Sequence, residues 1–177
     1  PLLLVRNLAP GRKSFKEAAW VMSNLAECHI LAYRLIHELR RDMGQSDTKV
    51  SIAIHLRVFE AARPFNLKDR FFRFLIEKSF QGSLLEARSH GRFSWPLKGK
   101  AERGDYCDFL AVNYYSRSFV KGKAEFSPPD LPKNDLGWEI HPQGIIPCLR
   151  KASGKVSKPI YITENGTCDN EDEYRSR

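Results

Sequence analysis

At 177 residues and 42% hydrophobic content, the chain is long enough for one domain with a real core and too apolar to be read as disordered. Its formal net charge of +8 comes from 29 basic and 21 acidic residues interspersed along the chain, which reads as a solvated basic surface and argues against nucleic acid as a partner. Cys28, Cys107, Cys148 and Cys168 are widely separated and form no CxxC pair, so neither a zinc site nor a disulfide framework is expected, and free thiols point to a reducing, cytoplasmic setting.

The opening "PLLLV" is too short to span a membrane and lacks a signal-peptide pattern, so no membrane association is expected. It also lacks an initiator Met, which is read as a sign of processing or of a longer parent chain. Ser14 followed three residues later by Glu17 is a capping-box pattern, and it predicts a long helix. Leu25, Cys28, Ala32, Ile36 and Leu39 recur at helical spacing and predict its buried face, with Gly44 ending it. "KVSIAIHL" (Lys49 to Leu56) then alternates as a strand. Val50, Ile52, Ile54 and Leu56 share one face, and Ser51, Ala53 and His55 share the other. In a barrel the larger set would pack on helices and the smaller would line the lumen, with His55 near the C-terminal mouth.

A second helix is expected from Asn66, with Asp69 in its first turn and Phe71, Phe72, Leu75 and Ile76 turned inward. Gly82 and Gly91 punctuate the next stretch, and "GRFSWPLKGKAERGD" reads as a loop. "DFLAVNYY" (Asp108 to Tyr115) is the next strand, with Phe109, Ala111, Asn113 and Tyr115 on one face. A long Pro- and Lys-rich loop leads to "DLGWEIHPQG". A helix should come after it, with Pro147 in its first turn.

The last strand comes from "KPIYITENGTCD". Ile160 to Thr163 suit a buried strand, and Glu164 at its end has no place in a core unless it is paired or at work. A carboxylate delivered at the C-terminal end of a strand is how α/β barrels present catalytic groups. Helix and strand alternate with no hairpin signal, which predicts βαβ units and a parallel sheet. Three strands make an incomplete sheet whose edges need partners.

"DFLAVNYYS", "GWEIHPQGI" and "YITENG", in that order, resemble the second half of a family 1 glycoside hydrolase, the β-glucosidase and 6-phospho-β-glucosidase family. "LAPG" (Leu8 to Gly11) resembles the segment leading into the family's fourth barrel helix, and "SIAIHL" its fifth strand. The resemblance covers nearly all of the chain. It implies an α/β fold, namely part of a (β/α)₈ TIM barrel, roughly strands 5 to 7 with their helices, in one partial domain over residues 1–177. It also implies hydrolysis of a β-linked glycoside or oligosaccharide with retention of configuration.

By the same resemblance, Glu164 matches the nucleophile, Tyr115 the residue that orients it, and Asn113 a lumen asparagine near the catalytic pair. Trp138 matches an aromatic on the aglycone side, and His55 stands where many members carry a small polar group close to the acid/base. The chemistry suits these types. A retaining glycosidase needs two carboxyl groups about 5–5.5 Å apart, and hydrogen bonds from a phenol and an asparagine keep the nucleophile ionised.

The second carboxyl is missing, because the family's "T-x-N-E-P" motif does not occur. The chain is therefore expected to be inactive by itself, to need the remainder of the barrel, and to aggregate through its edges. A truncated, non-catalytic sugar-binding or regulatory protein derived from a glycosidase is the alternative. Departures from the family pattern are Ala111 for a usual Gly, His141 for an aromatic or aliphatic residue, and Gln143 for a common Glu. No metal or cofactor is expected. The tail "DNEDEY" lacks the spacing and glycine of a calcium loop, and the sequon Asn165-Gly166-Thr167 is read as chance because a glycan there would block the site.

Overall fold

A computed structural model describes residues 14–172, in two compact units. "LAPG" and the extreme termini lie outside the described residues.

The first unit comprises residues 14–52 and 78–109. Helix α1 (Phe15–Asp42) starts where the sequence predicts: the Ser14 hydroxyl accepts from the Glu17 backbone N–H at 3.2 Å. Its buried face is not the predicted one. Leu25, Cys28, Ala32, Ile36 and Leu39 are exposed, and the helix buries Ala18, Ser23, Ala26, His29 and Ile30 instead. Small residues let α1 approach α3 (Ser83–His90), and Ala26 shares a core with Leu84, Ala87 and Leu97 beneath Met22 and Phe93. Helix α3 was not expected. It comes after a π-helical turn over Lys78–Gly82 and ends at Gly91, whose φ of 64° is left-handed. A Cβ at Gly91 would lie 2.2 Å from the Glu102 carbonyl oxygen, so both the turn and the packing require glycine. The predicted loop then runs as expected from Gly91 to Asp105.

Asp108 fastens this unit. Its carboxylate accepts from Tyr33 Oη at 2.9 Å and the Val50 backbone N–H at 2.7 Å, and His37 Nε2 lies 2.8 Å away. Burial pushes the Asp108 carboxyl up, but these bonds outweigh it and hold the group below its ordinary value.

The second unit comprises residues 53–77 and 110–172 and contains every strand among the described residues. Strand β1 (Ala53–Ala61) begins four residues later than predicted. Asn66 caps α2 (Leu67–Glu77), its side-chain oxygen accepting from the Asp69 N–H at 3.1 Å. Phe71, expected inward, is 57% exposed, and the fully buried residue of α2 is Asp69. That carboxylate takes two bonds from Arg63 and one from the Gly122 N–H, which draw its pKa down to about 2.

Strand β2 (Leu110–Lys121) runs well past the predicted end and turns through Gly122, at φ 56°, into β3 (Ala124–Phe126). This antiparallel hairpin corrects the expectation of three strands and no hairpin. Helix α4 (Ile145–Ser153) carries Pro147 in its first turn, as expected. Strand β4 (Ile160–Asn165) comes last.

The sheet order places β2 between β1 and β4, with both pairings parallel. Ile54 and Leu56 of β1 stand level with Val112 and Tyr114 of β2, and all four are buried. Period two sends His55, Asn113 and Tyr115 to the opposite face. Among the described residues β4 pairs only with β2, and Tyr161 and Ile162 are about half exposed, so the expected buried strand is an edge strand.

Candidate active site

Glu164 reaches the site through an irregularity. Up to Val112↔Ile162, β4 pairs with β2 residue for residue, but the next pair is Asn113↔Glu164. Thr163 is the extra residue, a β-bulge. Strict alternation would put Thr163 beside Asn113 and turn Glu164 to the other face. The bulge moves Glu164 level with Asn113, on the face that also carries His55 and Tyr115. Gly166, at φ 143°, then carries the chain away.

The Tyr115 hydroxyl donates to Glu164 Oε2. That bond, ahead of burial, raises the tyrosine's pKa, so the phenol stays a neutral donor beside the carboxylate. Tyr115 is itself flanked by two rings. The His55 imidazole stands edge-on at 5.5 Å between centroids, and the Trp138 indole lies 6.0 Å away, tilted by 56°. Burial and then the nearby Arg57 cation lower the His55 pKa to about 4, against an opposing pull from Glu164. His55 is thus a neutral ring at pH 7.

Asn113 lies level with Glu164 on the same face. Its side-chain oxygen accepts from the Thr163 hydroxyl at 2.6 Å, so the amide anchors the bulge that aims Glu164. The five candidate residues therefore converge: Glu164, Tyr115, His55 and Trp138 by bond or ring contact, and Asn113 through Thr163. Sequence reasoning missed Thr163 and the ion pair of Arg117 with Glu139. A cation two residues after "NYY" and an acid directly after Trp138 were visible, but nothing local linked them. Among the described residues, no group of His, Cys, Asp and Glu is placed to hold a metal ion.

The family model for glycosyl hydrolase family 1 matches residues 4–176. The chain belongs to this family. Beta-glucosidase A of Thermotoga maritima is 30% identical over 89% of this chain and 39% of its own length. The beta-galactosidase of Pyrococcus woesei is 25% identical over 94% of this chain, again 39% of its own. Among solved structures, a beta-glycosidase from Pyrococcus horikoshii superposes with a TM-score of 0.78 at 29% identity, over 97% of this chain and 40% of that one. The Thermotoga maritima beta-glucosidase in complex with glucoimidazole does so with a TM-score of 0.78 at 27% identity, over 96% and 41%.

This family 1 chain thus spans about two fifths of the length of the relatives it matches. Its parallel strands β1, β2 and β4 are part of a (β/α)₈ barrel, and Glu164 sits at the C-terminal end of β4, where such barrels carry their chemistry. His55, expected near the C-terminal mouth, instead lies in the first third of β1, and Asn113 and Tyr115 lie in the first half of β2, because both strands run on past the predicted ends.

Proposed function

We propose that this chain carries the nucleophile half of a retaining β-glycosidase site, with Glu164 as the nucleophile. The observation that carries the reading is the hydrogen bond from the Tyr115 hydroxyl to Glu164 at the C-terminal end of β4. A carboxylate that accepts from a neutral phenol keeps one oxygen engaged and directed while the other is free to attack.

In the proposed reaction, Glu164 attacks the anomeric carbon of a β-linked glycoside and forms a glycosyl ester as the aglycone leaves. A second carboxyl protonates the departing oxygen and then activates the water that cleaves the ester. The family's "T-x-N-E-P" motif is absent from this sequence, so that carboxyl is assigned to the remainder of the barrel. Trp138 offers an apolar ring to the aglycone. His55, neutral and partly buried, shapes the lumen and is not the acid/base.

The surface supports a need for the remainder. Leu25, Leu31, Leu35 and Leu39 of α1, and Met43 just past its end, are all about half exposed or more, and β4 is an open edge among the described residues. We infer that the 177-residue chain alone does not turn over substrate. Its free cysteines fit a reducing, cytoplasmic setting.

The test is intact mass after incubation with an activated 2-deoxy-2-fluoro-β-glycoside, which traps the glycosyl ester. With the rest of the barrel supplied, the label should appear and map to Glu164. A label on another residue, or none while turnover proceeds, would remove the assignment. Labelling of the isolated chain would overturn its inactivity.

A further inference from the structure

Trp138 is held by more than its own turn. Residues 132–140 fold back tightly. The Asn134 side-chain oxygen accepts from the N–H groups of Leu136 and Trp138 at 3.1 and 2.9 Å, and the Asn134 N–H donates to the Trp138 carbonyl at 2.9 Å. Gly137, at φ 74°, closes the turn, and the Ile140 N–H bonds to the Pro132 carbonyl at 2.9 Å.

Strand β2 then grips the returning arm at three points. Tyr114 Oη donates to the His141 carbonyl at 2.6 Å and Ser116 Oγ to the Glu139 carbonyl at 2.9 Å. Arg117 forks onto the Glu139 carboxylate, with Nε to Oε2 at 2.9 Å and Nη2 to Oε1. The same guanidinium reaches back to Glu60 Oε1 on β1 at 3.1 Å.

Glu139 is only 2% exposed, and a buried ion pair of this kind is a poor means to stability. Apolar side chains of similar volume commonly serve as well or better. What a guanidinium–carboxylate fork supplies is direction, because two parallel bonds fix both position and plane. The residue so fixed is the immediate neighbour of Trp138. The cation that fixes it lies two residues from Tyr115, against which Trp138 leans.

We infer that the Arg117–Glu139 pair is a positioning device that sets the Trp138 ring against Tyr115, and so shapes the aglycone wall. The inference rests on reading Glu164 and its surroundings as the glycosidase site. Arg117 and Glu139 touch neither substrate nor reacting atoms in this scheme. They act through Trp138.

The experiment is ¹⁹F NMR of the chain labelled with 5-fluorotryptophan, whose three tryptophans report separately once Trp138→Phe identifies the relevant line. Far-UV circular dichroism checks the fold. Glu139→Leu and Arg117→Met should shift the Trp138 line and raise its acrylamide quenching severalfold, while Trp20 and Trp95 stay put. Glu139→Gln, which keeps the shape and one acceptor, should fall between. An unmoved Trp138 in both apolar variants would show that the Asn134 turn suffices and would overturn the proposal. Displacement of all three lines together, or loss of the helical signal, would overturn it in favour of a plain stability role.

The readout does not depend on turnover. A clamp that responds as expected, while Glu164 takes up no label in a turning-over enzyme with the rest of the barrel supplied, would remove the glycosidase reading and leave the clamp. An unresponsive Trp138 in a labelled enzyme would remove the clamp alone.

Discussion

The Tyr115 hydroxyl and the Glu164 carboxylate are 49 residues apart in sequence, and a hydrogen bond joins them across two parallel strands. Removing it tests the proposed reaction. In a catalytically complete enzyme, Tyr115→Phe should lower kcat/KM by about 10–100-fold, the loss of a hydrogen bond to a charged group worth roughly 1.5–3 kcal/mol. Glu164→Gly should abolish turnover, and added azide should restore it with release of the α-glycosyl azide, formed from the vacated face. Product analysis by NMR checks this, and a β-azide would contradict the assignment.

His55 should make stability depend on pH. Its pKa of about 4 in the folded chain lies below the ordinary 6.5, so between these values the unfolded chain binds more protons. The neutral ring's contribution is complete above pH 6.5 and is lost as pH falls toward 4. After allowance for partial solvent access, the loss should be about 2 kcal/mol. Denaturant melts across that window, repeated with His55→Gln, should show the dependence flatten.

Asp108 should behave with its own sign. Its pKa is held down, so its stabilising bonds persist above the ordinary carboxylate range and fail as pH drops through the folded value. Asp108→Ala strips the acceptor from Tyr33 and the Val50 N–H and should cost about 2–4 kcal/mol. Thermal unfolding of the variant measures it, and a change under about 0.5 kcal/mol would contradict the fastening role.

Gly144 should not tolerate a methyl group. A Cβ there would fall 2.0 Å from the Tyr114 hydroxyl, whose side chain is 1% exposed and has nowhere to go. Gly144→Ala should break the Tyr114 bond to the His141 carbonyl and cost about 1–3 kcal/mol by overpacking. Chemical denaturation reads the stability. The ¹⁹F line of Trp138 reports whether the arm shifts with it.

The helical stripe of α1 shows where sequence periodicity stops being informative. Leu25, Cys28, Ala32, Ile36 and Leu39 repeat as a buried face should, yet they are exposed, and the face with Ala18, Ser23 and Ala26 is buried against its neighbours. Periodicity reports that one side of a helix is apolar. It does not report which partner is within reach, and here smaller side chains allow the closer approach. The hairpin at Gly122 was missed for another reason. Lys121, Gly122 and Lys123 lie in a stretch whose polarity hides the short β3, and only its pairing with β2 defines it as a strand.

Local chemistry by itself determined much of this protein. The Ser14 cap, the αL glycine that ends α3, Pro147 in the first turn of α4 and the βαβ alternation come from backbone preferences that act within a few residues. The long motifs around Tyr115, Trp138 and Glu164 likewise marked the family and the candidate residues in the linear chain. Only the tertiary structure decided that Glu164 faces its partners, because the Thr163 bulge reverses the side predicted by strict alternation. It also decided that Asn113 serves that bulge and that Arg117 closes on Glu139. A strand's facing is a property of its register with a neighbour, and a buried ion pair is a property of two backbones brought together. Neither is written in the residues on one side alone.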